Sequence, residues 1–206
     1  KNKMAFSSSE GKLFFRDWLT RMFLENQVRT ILDVGAGAGV YGIAAKEAFH
    51  EAQAIYMKYN YVDLPHKGII IHAVEIFRPY IERFGLNGIY DIIHVCPVAE
   101  IAERGANYDL VIFGDVLEHM VKEEALKVWN SFKQNSRFVY LSLPCKIEGK
   151  AWSLGYDQEP SEGDENKYEL HQHDWKYDEI LNELGPFLWQ VPLPTVVTMI
   201  AEGNLK

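Results

Sequence analysis

Apolar residues along this chain recur with two periods that take turns. Apolar runs of strand length occupy 30–34, 68–74, 91–95, 108–113 and 137–143. Between them lie amphipathic stretches. Residues 10–27 carry Leu13, Phe14, Trp18, Leu19, Met22 and Phe23 near a 3.6-residue spacing, which predicts a helix. Further helices are predicted over 40–54, 78–84, 122–134 and 176–184. Pro79 takes an allowed first-turn position, and Gly185-Pro186 stops the last helix. Strands alternating with helices predict an α/β three-layer sandwich around a mostly parallel sheet. Two further strands, 187–191 and 195–202, are joined by Pro192-Leu193-Pro194. That joint is too short for a parallel crossover, so they pair antiparallel and bring the sheet to seven strands.

Two stretches break the alternation. Residues 55–67, polar and aromatic with Asp63-Leu64-Pro65, read as an insertion after the second helix. From Pro144 to His171 the pattern lapses, and unstructured stretches of that length in compact domains usually carry function or disorder. This one holds Trp152, Tyr156 and Tyr168 among many acids, more aromatic residues than a disordered linker carries. Residues 146–170 are therefore read as a substrate loop and 1–29 as an N-terminal helical cap, within one domain spanning 1–206.

Composition narrows the partners. The 206 residues are 48% hydrophobic and 24% charged, as in globular proteins, with a net charge of −8. No clustered Lys and Arg are present to meet a phosphate backbone, which argues against nucleic acid and for a small-molecule partner. No apolar run approaches the roughly 20 residues that span a bilayer, so no membrane role is expected. Cys96 and Cys145 form neither a redox pair nor a zinc knuckle; two reduced thiols suit a cytoplasmic protein.

The candidate chemistry starts at Ile31-Leu32-Asp33-Val34-Gly35-Ala36-Gly37-Ala38-Gly39-Val40-Tyr41-Gly42. A strand ending in glycines that turn into a helix lets a ligand touch backbone and meet free N–H groups. Two registers overlap there. Gly37, Gly39 and Gly42 spell a dinucleotide fingerprint, with Asp63 as its ribose acid. Gly35, Gly37 and Gly39 instead place the first glycine directly after the strand, and pair with Glu75 at the tip of 68–74. An acid there can accept hydrogen bonds from both ribose hydroxyls.

In this second register the chain resembles the class I S-adenosylmethionine-dependent methyltransferases. The resemblance rests on Leu32-Asp33-Val34-Gly35-Ala36-Gly37-Ala38-Gly39, on Ala73-Val74-Glu75-Ile76, on the stretch Tyr108 to Met120 with Asp115-Val116-Leu117-Glu118-His119, and on the closing hairpin. It implies a Rossmann-like seven-stranded fold and S-adenosylmethionine as cofactor. Asp33 would anchor the cofactor's ammonium group, while Gly35, Ala36, Gly37 and Gly39 admit it to the backbone. Glu75, followed by Ile76, would fix the ribose. Asp115 and Val116 would line the sulfonium and the substrate entrance. The family often has an adenine-binding acid after the third strand; here Cys96-Pro97-Val98-Ala99-Glu100 stands there, with a backbone N–H near Val98 in its place.

Each assignment has a plainer counterpart. Asp33 could cap a strand end, and Glu75 could be an exposed acid at a helix start. His119 is a substrate contact or the cap of a short helix. Asn166, Glu169, His171 and Trp175 are similar to a family pattern facing the cofactor mouth, which makes His171 a candidate general base. Asp174 could equally be a helix cap and Trp175 core. His171 and His173 alternate as metal ligands do, but no third ligand is evident, so no metal is expected. Phe14, Phe15 and Trp18 read mainly as core and secondarily as a lid. The resulting expectation is a methyltransferase acting on oxygen or nitrogen of a small molecule. An NAD(P)-dependent oxidoreductase and a non-catalytic cofactor-binding module are the alternatives.

Overall fold

Successive residues of a strand face opposite sides of its sheet, and in this chain both sides are apolar. The computed structural model describes residues 10–60, 64, 68–145, 166–193 and 196–205. Ile31, Leu110, Ile112, Tyr140 and Ile200 point into one core, whereas Leu32, Val34, Val111, Phe113, Leu141 and Met199 point into the other. The strands are β1 (Thr30–Val34), β2 (Ile70–Val74), β3 (Ile92–His94), β4 (Tyr108–Gly114), β5 (Ser136–Leu143), β6 (Trp189–Pro192) and β7 (Val197–Glu202). They form a single seven-stranded sheet in the order β3-β2-β1-β4-β5-β7-β6. Every pairing is parallel except those of β7 with β5 and with β6, so β7 alone runs backwards.

The helices are α1 (Glu10–Leu24), α2 (Val40–Asn60), α3 (Pro79–Arg83), α4 (Val98–Glu103), α5 (Lys122–Asn135) and α6 (Tyr177–Glu183). The first three supply residues to one core, among them Phe15, Leu19, Ala45, Phe49 and Ile81. The last three close the other with Ile101, Trp129, Phe132 and Ile180. The sandwich therefore has the three layers and the reversed strand that the sequence predicts. Among the described residues, no helix is long and apolar enough to cross a membrane.

Three local readings change. The helix predicted to end at residue 54 continues to Asn60, so the first six residues of the expected insertion are helical. Nothing in Ile55–Asn60 breaks a helix, and Tyr56 packs against the core. Of the rest of that insertion only Leu64 lies within the described residues, and it is buried; Asp63 falls outside them. α4 has no counterpart in the sequence reading, because six residues are too few to show a period. Finally, α6 begins at Tyr177 with Lys176 at its cap, where the Lys176 N–H donates to Glu179 Oε2 (3.3 Å), so Asp174 is not the cap. Trp175 is core, 1% exposed. Of the substrate loop, 146–165 lie outside the described residues, Trp152 and Tyr156 among them. Asn166–Leu170 holds a short 3-10 turn, Lys167–Glu169.

Candidate active site

In open parallel sheets ligands bind beyond the carboxyl ends of the strands where the strand order reverses. Here that point lies between β1 and β4, since successive connections run outward from β1 on one side and from β4 on the other. The registers Val34↔Val74 and Val34↔Phe113 set the ends of β1, β2 and β4 side by side. Gly35, Glu75 and Asp115, predicted separately as site residues, therefore meet at one rim.

The turn after β1 is held tightly. The Gly35 and Ala36 N–H groups both donate to the Val74 carbonyl, at 2.8 and 3.1 Å. Gly35 has φ +67°, a left-handed conformation that favours glycine. A Cβ there would also come 2.7 Å from Val116 Cγ2, so the turns after β1 and β4 touch. Gly42 behaves differently. It lies inside α2, and a Cβ on it would meet the Tyr90 ring at 2.6 Å and Ile89 at 2.7 Å. Its glycine serves helix packing, a role that the third glycine of a dinucleotide fingerprint also plays, so Gly42 alone does not separate the two registers.

Glu75 is 4% exposed, which removes the exposed-acid reading. Its Oε2 accepts from the Gly37 N–H (2.8 Å) and its Oε1 from the Phe77 N–H (2.7 Å). Burial raises its pKa, and the two N–H donors oppose that shift. The carboxylate thus braces the glycine turn while each oxygen keeps a lone pair for another donor. Ile76 follows it, half-buried. Asp33 is fully buried beneath the turn and accepts a 2.5 Å hydrogen bond from Tyr90 Oη. Burial pushes its pKa up to about 7, and the Tyr90 hydroxyl pulls the other way.

Asp115 has φ +59°, one of two non-glycine residues at positive φ among those described. Asp and Asn tolerate that region best. Its N–H donates to the Ser142 carbonyl (2.8 Å), and Ser142 Oγ donates to its Oδ1 (3.1 Å). Val98 opens α4 and packs against the second core.

His119 and His171, fifty-two positions apart, come together. A 3-10 turn, Leu117–His119, follows Val116. The Glu118 carbonyl accepts from the Gln172 and His173 N–H groups at 2.7 and 3.2 Å, which pins the segment carrying His171 onto this turn. The two imidazoles meet edge to face, 4.9 Å between centroids. Burial lowers both pKa values. Glu118 is 2% exposed, and burial holds its carboxyl well above the ordinary range. His173 turns away, its Nε2 3.0 Å from Glu179 Oε1. Glu169 Oε1 accepts from Tyr80 Oη (3.1 Å) and from Asn166 Nδ2 (3.2 Å), tying the same segment to α3.

Lys12 belongs to this rim although nothing in its sequence surroundings marks it. Its Nζ lies 5.8 Å from the Tyr41 ring centre. Burial lowers its pKa, against the pull of the Asp115 and Asp33 carboxylates. Tyr90 was equally unmarked. Phe15, considered as a lid, is core, stacked edge-on to Tyr41 and Tyr140. Trp18 is part-buried against Phe138, and Phe14 lies outermost beside Trp189.

Among solved structures the chain is similar to an O-methyltransferase family protein from Burkholderia thailandensis, with a TM-score of 0.57 and 12% identity. That likeness covers 94% of this chain and 56% of the other, so the chain spans little more than half of it. It is similar also to the N-terminal domain of EvdMO1, crystallised in the presence of SAH and D-fucose (TM-score 0.58, 13% identity, 96% of this chain and 84% of that one). A third likeness is to the bifunctional kinase-methyltransferase WbdD (TM-score 0.55, 14% identity, 96% and 39%). No family model and no curated protein matches the sequence. At such identities the likeness is one of fold. The fold is the Rossmann-like sandwich of class I methyltransferases, with the mostly parallel seven-stranded sheet and its reversed strand.

Proposed function

We propose that this protein is an S-adenosylmethionine-dependent methyltransferase whose acceptor is the oxygen or nitrogen of a small molecule. The observation that carries the reading is the Glu75 carboxylate, buried at the tip of β2 and clasped by the Gly37 N–H at the strand-order switch. A ribose lying across the glycine turn would present both hydroxyls to it. S-Adenosylmethionine has no pyrophosphate, so a turn braced by a carboxylate suits it better than it suits a dinucleotide. Two neighbours in fold support the cofactor: one is an O-methyltransferase family protein and another was crystallised in the presence of SAH and D-fucose.

In this reading Gly35, Ala36, Gly37 and Gly39 give the cofactor its backbone contact, with Ile76 and a backbone N–H near Val98 beside the adenosine. Asp33 faces the amino group, through water, and Lys12 the carboxylate of the same amino-acid tail. Asp115 and Val116 border the sulfonium. His171, with His119 against it, stands where it would take the acceptor's proton. In-line methyl transfer gains most from alignment, for which on the order of 7–11 kcal/mol is available. A chain of net charge −8 without clustered Lys and Arg along its sequence fits a small uncharged acceptor better than a polyanion.

Calorimetric titration with S-adenosylhomocysteine and with NADH checks the cofactor. Binding of the first and silence from the second is the expected outcome; tight NADH binding without heat from the first would sink the proposal. Methyl-labelled cofactor offered with pooled metabolites then checks catalysis, and persistent absence of transfer favours a binding module instead. His171→Ala should lower turnover by about 10²- to 10⁴-fold and leave S-adenosylhomocysteine affinity unchanged. Lost affinity would place His171 in the cofactor's own shell.

A further inference from the structure

The turn after β4 and the segment pinned on it bring three ligand-type side chains to one point. A carboxylate oxygen of Glu118, a ring nitrogen of His119 and one of His171 all lie within 4.8 Å of one another. Glu118 Oε1 and His119 Nε2 are 3.9 Å apart, too long for a hydrogen bond. Two atoms of the group also lack a hydrogen-bond partner while sealed from solvent: Glu118 Oε2 and His119 Nδ1. An orphaned oxygen on a side chain only 2% exposed is a costly arrangement unless a partner completes it, and a cation there would displace the proton that burial otherwise holds on the carboxyl. No Lys or Arg is paired with Glu118 among the ion pairs of the described residues; its ion-pair neighbour is His119. The carboxylates of Asp115 and Glu169 deepen the negative potential at the same place.

We propose that Glu118, His119 and His171 bind a divalent first-row transition-metal ion, of the kind represented by Zn²⁺ or Co²⁺. Two imidazoles and one carboxylate form a nitrogen-rich donor set that suits such ions, and not the all-oxygen shell of Mg²⁺ or Ca²⁺. Ligand atoms bound at about 2.0–2.2 Å from one ion stand roughly 3.5 Å apart. Binding would require the trio to close to that spacing, by side-chain rotation of the two half-buried histidines. The backbone carbonyls of Leu170 and Glu169 face the His119 ring and can orient it as outer partners orient metal-bound imidazoles. The ligand that the His171/His173 alternation lacks in sequence thus comes from the β4 turn, and His173 is not part of the set. Three protein ligands leave at least one coordination position open, where a bound hydroxyl would lose its proton more readily. The site rests on these three side chains; with the ion bound, His171 would be a ligand and not a free base, so the site replaces the general-base role of His171 and leaves the cofactor reading untouched.

The test is titration of the full chain, stripped with a chelator, by Co²⁺ alone, followed in the visible spectrum and then by displacement with Zn²⁺. One ion per chain is expected, with a band that Zn²⁺ abolishes. His171→Ala should weaken binding by about a hundredfold or more, and Glu118→Gln likewise, whereas His173→Ala should not. A cooperative thermal transition checks that each variant is folded. Failure of the folded chain to take up Co²⁺ at micromolar concentration, or equal uptake by His171→Ala, overturns the site. S-Adenosylhomocysteine affinity, measured alongside without metal, reports on the cofactor reading alone.

Discussion

Asp33 and Glu75 are both buried acids at the same rim, and their partners differ in kind. Two backbone N–H groups reach the Glu75 carboxylate, while the Tyr90 hydroxyl and the Gly42 N–H reach Asp33. At Asp33 burial outweighs these hydrogen bonds and moves the pKa from 3.8 to about 7. The sign of the consequence follows. Below about pH 4 both folded and unfolded chains hold the proton. Between there and about pH 7 the unfolded chain releases it and the folded one keeps it. Stability should then fall with rising pH across that window by up to about 1.4 kcal/mol per unit, and level off above it. In the proposed reading a cofactor ammonium near Asp33 would reverse the preference, so that cofactor binding would expel the proton. S-Adenosylhomocysteine affinity should rise by up to about tenfold per unit toward pH 7, and Asp33→Asn should flatten both trends. Urea midpoints and calorimetry in buffers of different ionisation enthalpy read them; proton-neutral binding would contradict the placement of Asp33. Glu75→Gln, which keeps the volume and one acceptor, should weaken the same ligand by about 1–3 kcal/mol.

The glycines of α2 and its approach show how a single element divides between binding and packing. A Cβ on Gly42 would press on Tyr90 and Ile89, and Tyr90 is committed to Asp33 by its hydroxyl. Gly42→Ala should lower the unfolding free energy by about 1–3 kcal/mol, the usual cost of an overpacked contact. Gly68→Ala, with open space around it, sets the baseline. Equal urea midpoints for the two variants would refute the packing role. The same glycines mark what was legible in the sequence. Strand positions were readable because both faces of each central strand are apolar, and the turn was readable because Gly35 directly follows β1. The end of α2 was missed because composition shifts at Ile55 while helix-stopping chemistry does not appear there. α4 was too short for a period. Tyr90, Lys12 and the Glu118 contribution were not legible, since each depends on a contact made across the sheet ends. His119 and His171 were each marked as candidates, but their meeting follows from hydrogen bonds to the Glu118 carbonyl, which no local pattern encodes.

At the scale of the whole molecule, the first and last elements of the described chain converge beside the rim. Tyr140 Oη donates to the Gly11 carbonyl at 3.0 Å, and a Cβ on Gly11 would come 2.7 Å from Thr198 Oγ1 on β7. α1 is thereby fastened across β5 and β7, with Phe15 locked between Tyr41 and Tyr140. This anchoring carries Lys12 to the rim, where Asp115 and Asp33 act on its charge. A lysine at this rim offers a positive charge to an incoming anion, and the carboxylate of the cofactor's amino-acid tail is the anion the proposed ligand would bring. Lys12→Met keeps the aliphatic stem against Tyr41 and removes only the charge. The variant should unfold within about 0.5 kcal/mol of the parent, yet bind S-adenosylhomocysteine weaker by about 1.5–3 kcal/mol, the scale of a hydrogen bond to a charged group. Methylthioadenosine, which shares the nucleoside and lacks the amino-acid tail, separates this role from general damage to the cleft. Its affinity should be unchanged by Lys12→Met and reduced by Glu75→Gln, because in the proposed reading Glu75 would hold the ribose of both ligands and the lysine would meet only one. Equal loss of both ligands in Lys12→Met would mean that α1 shapes the cleft as a whole. No loss of either would detach Lys12 from the cofactor.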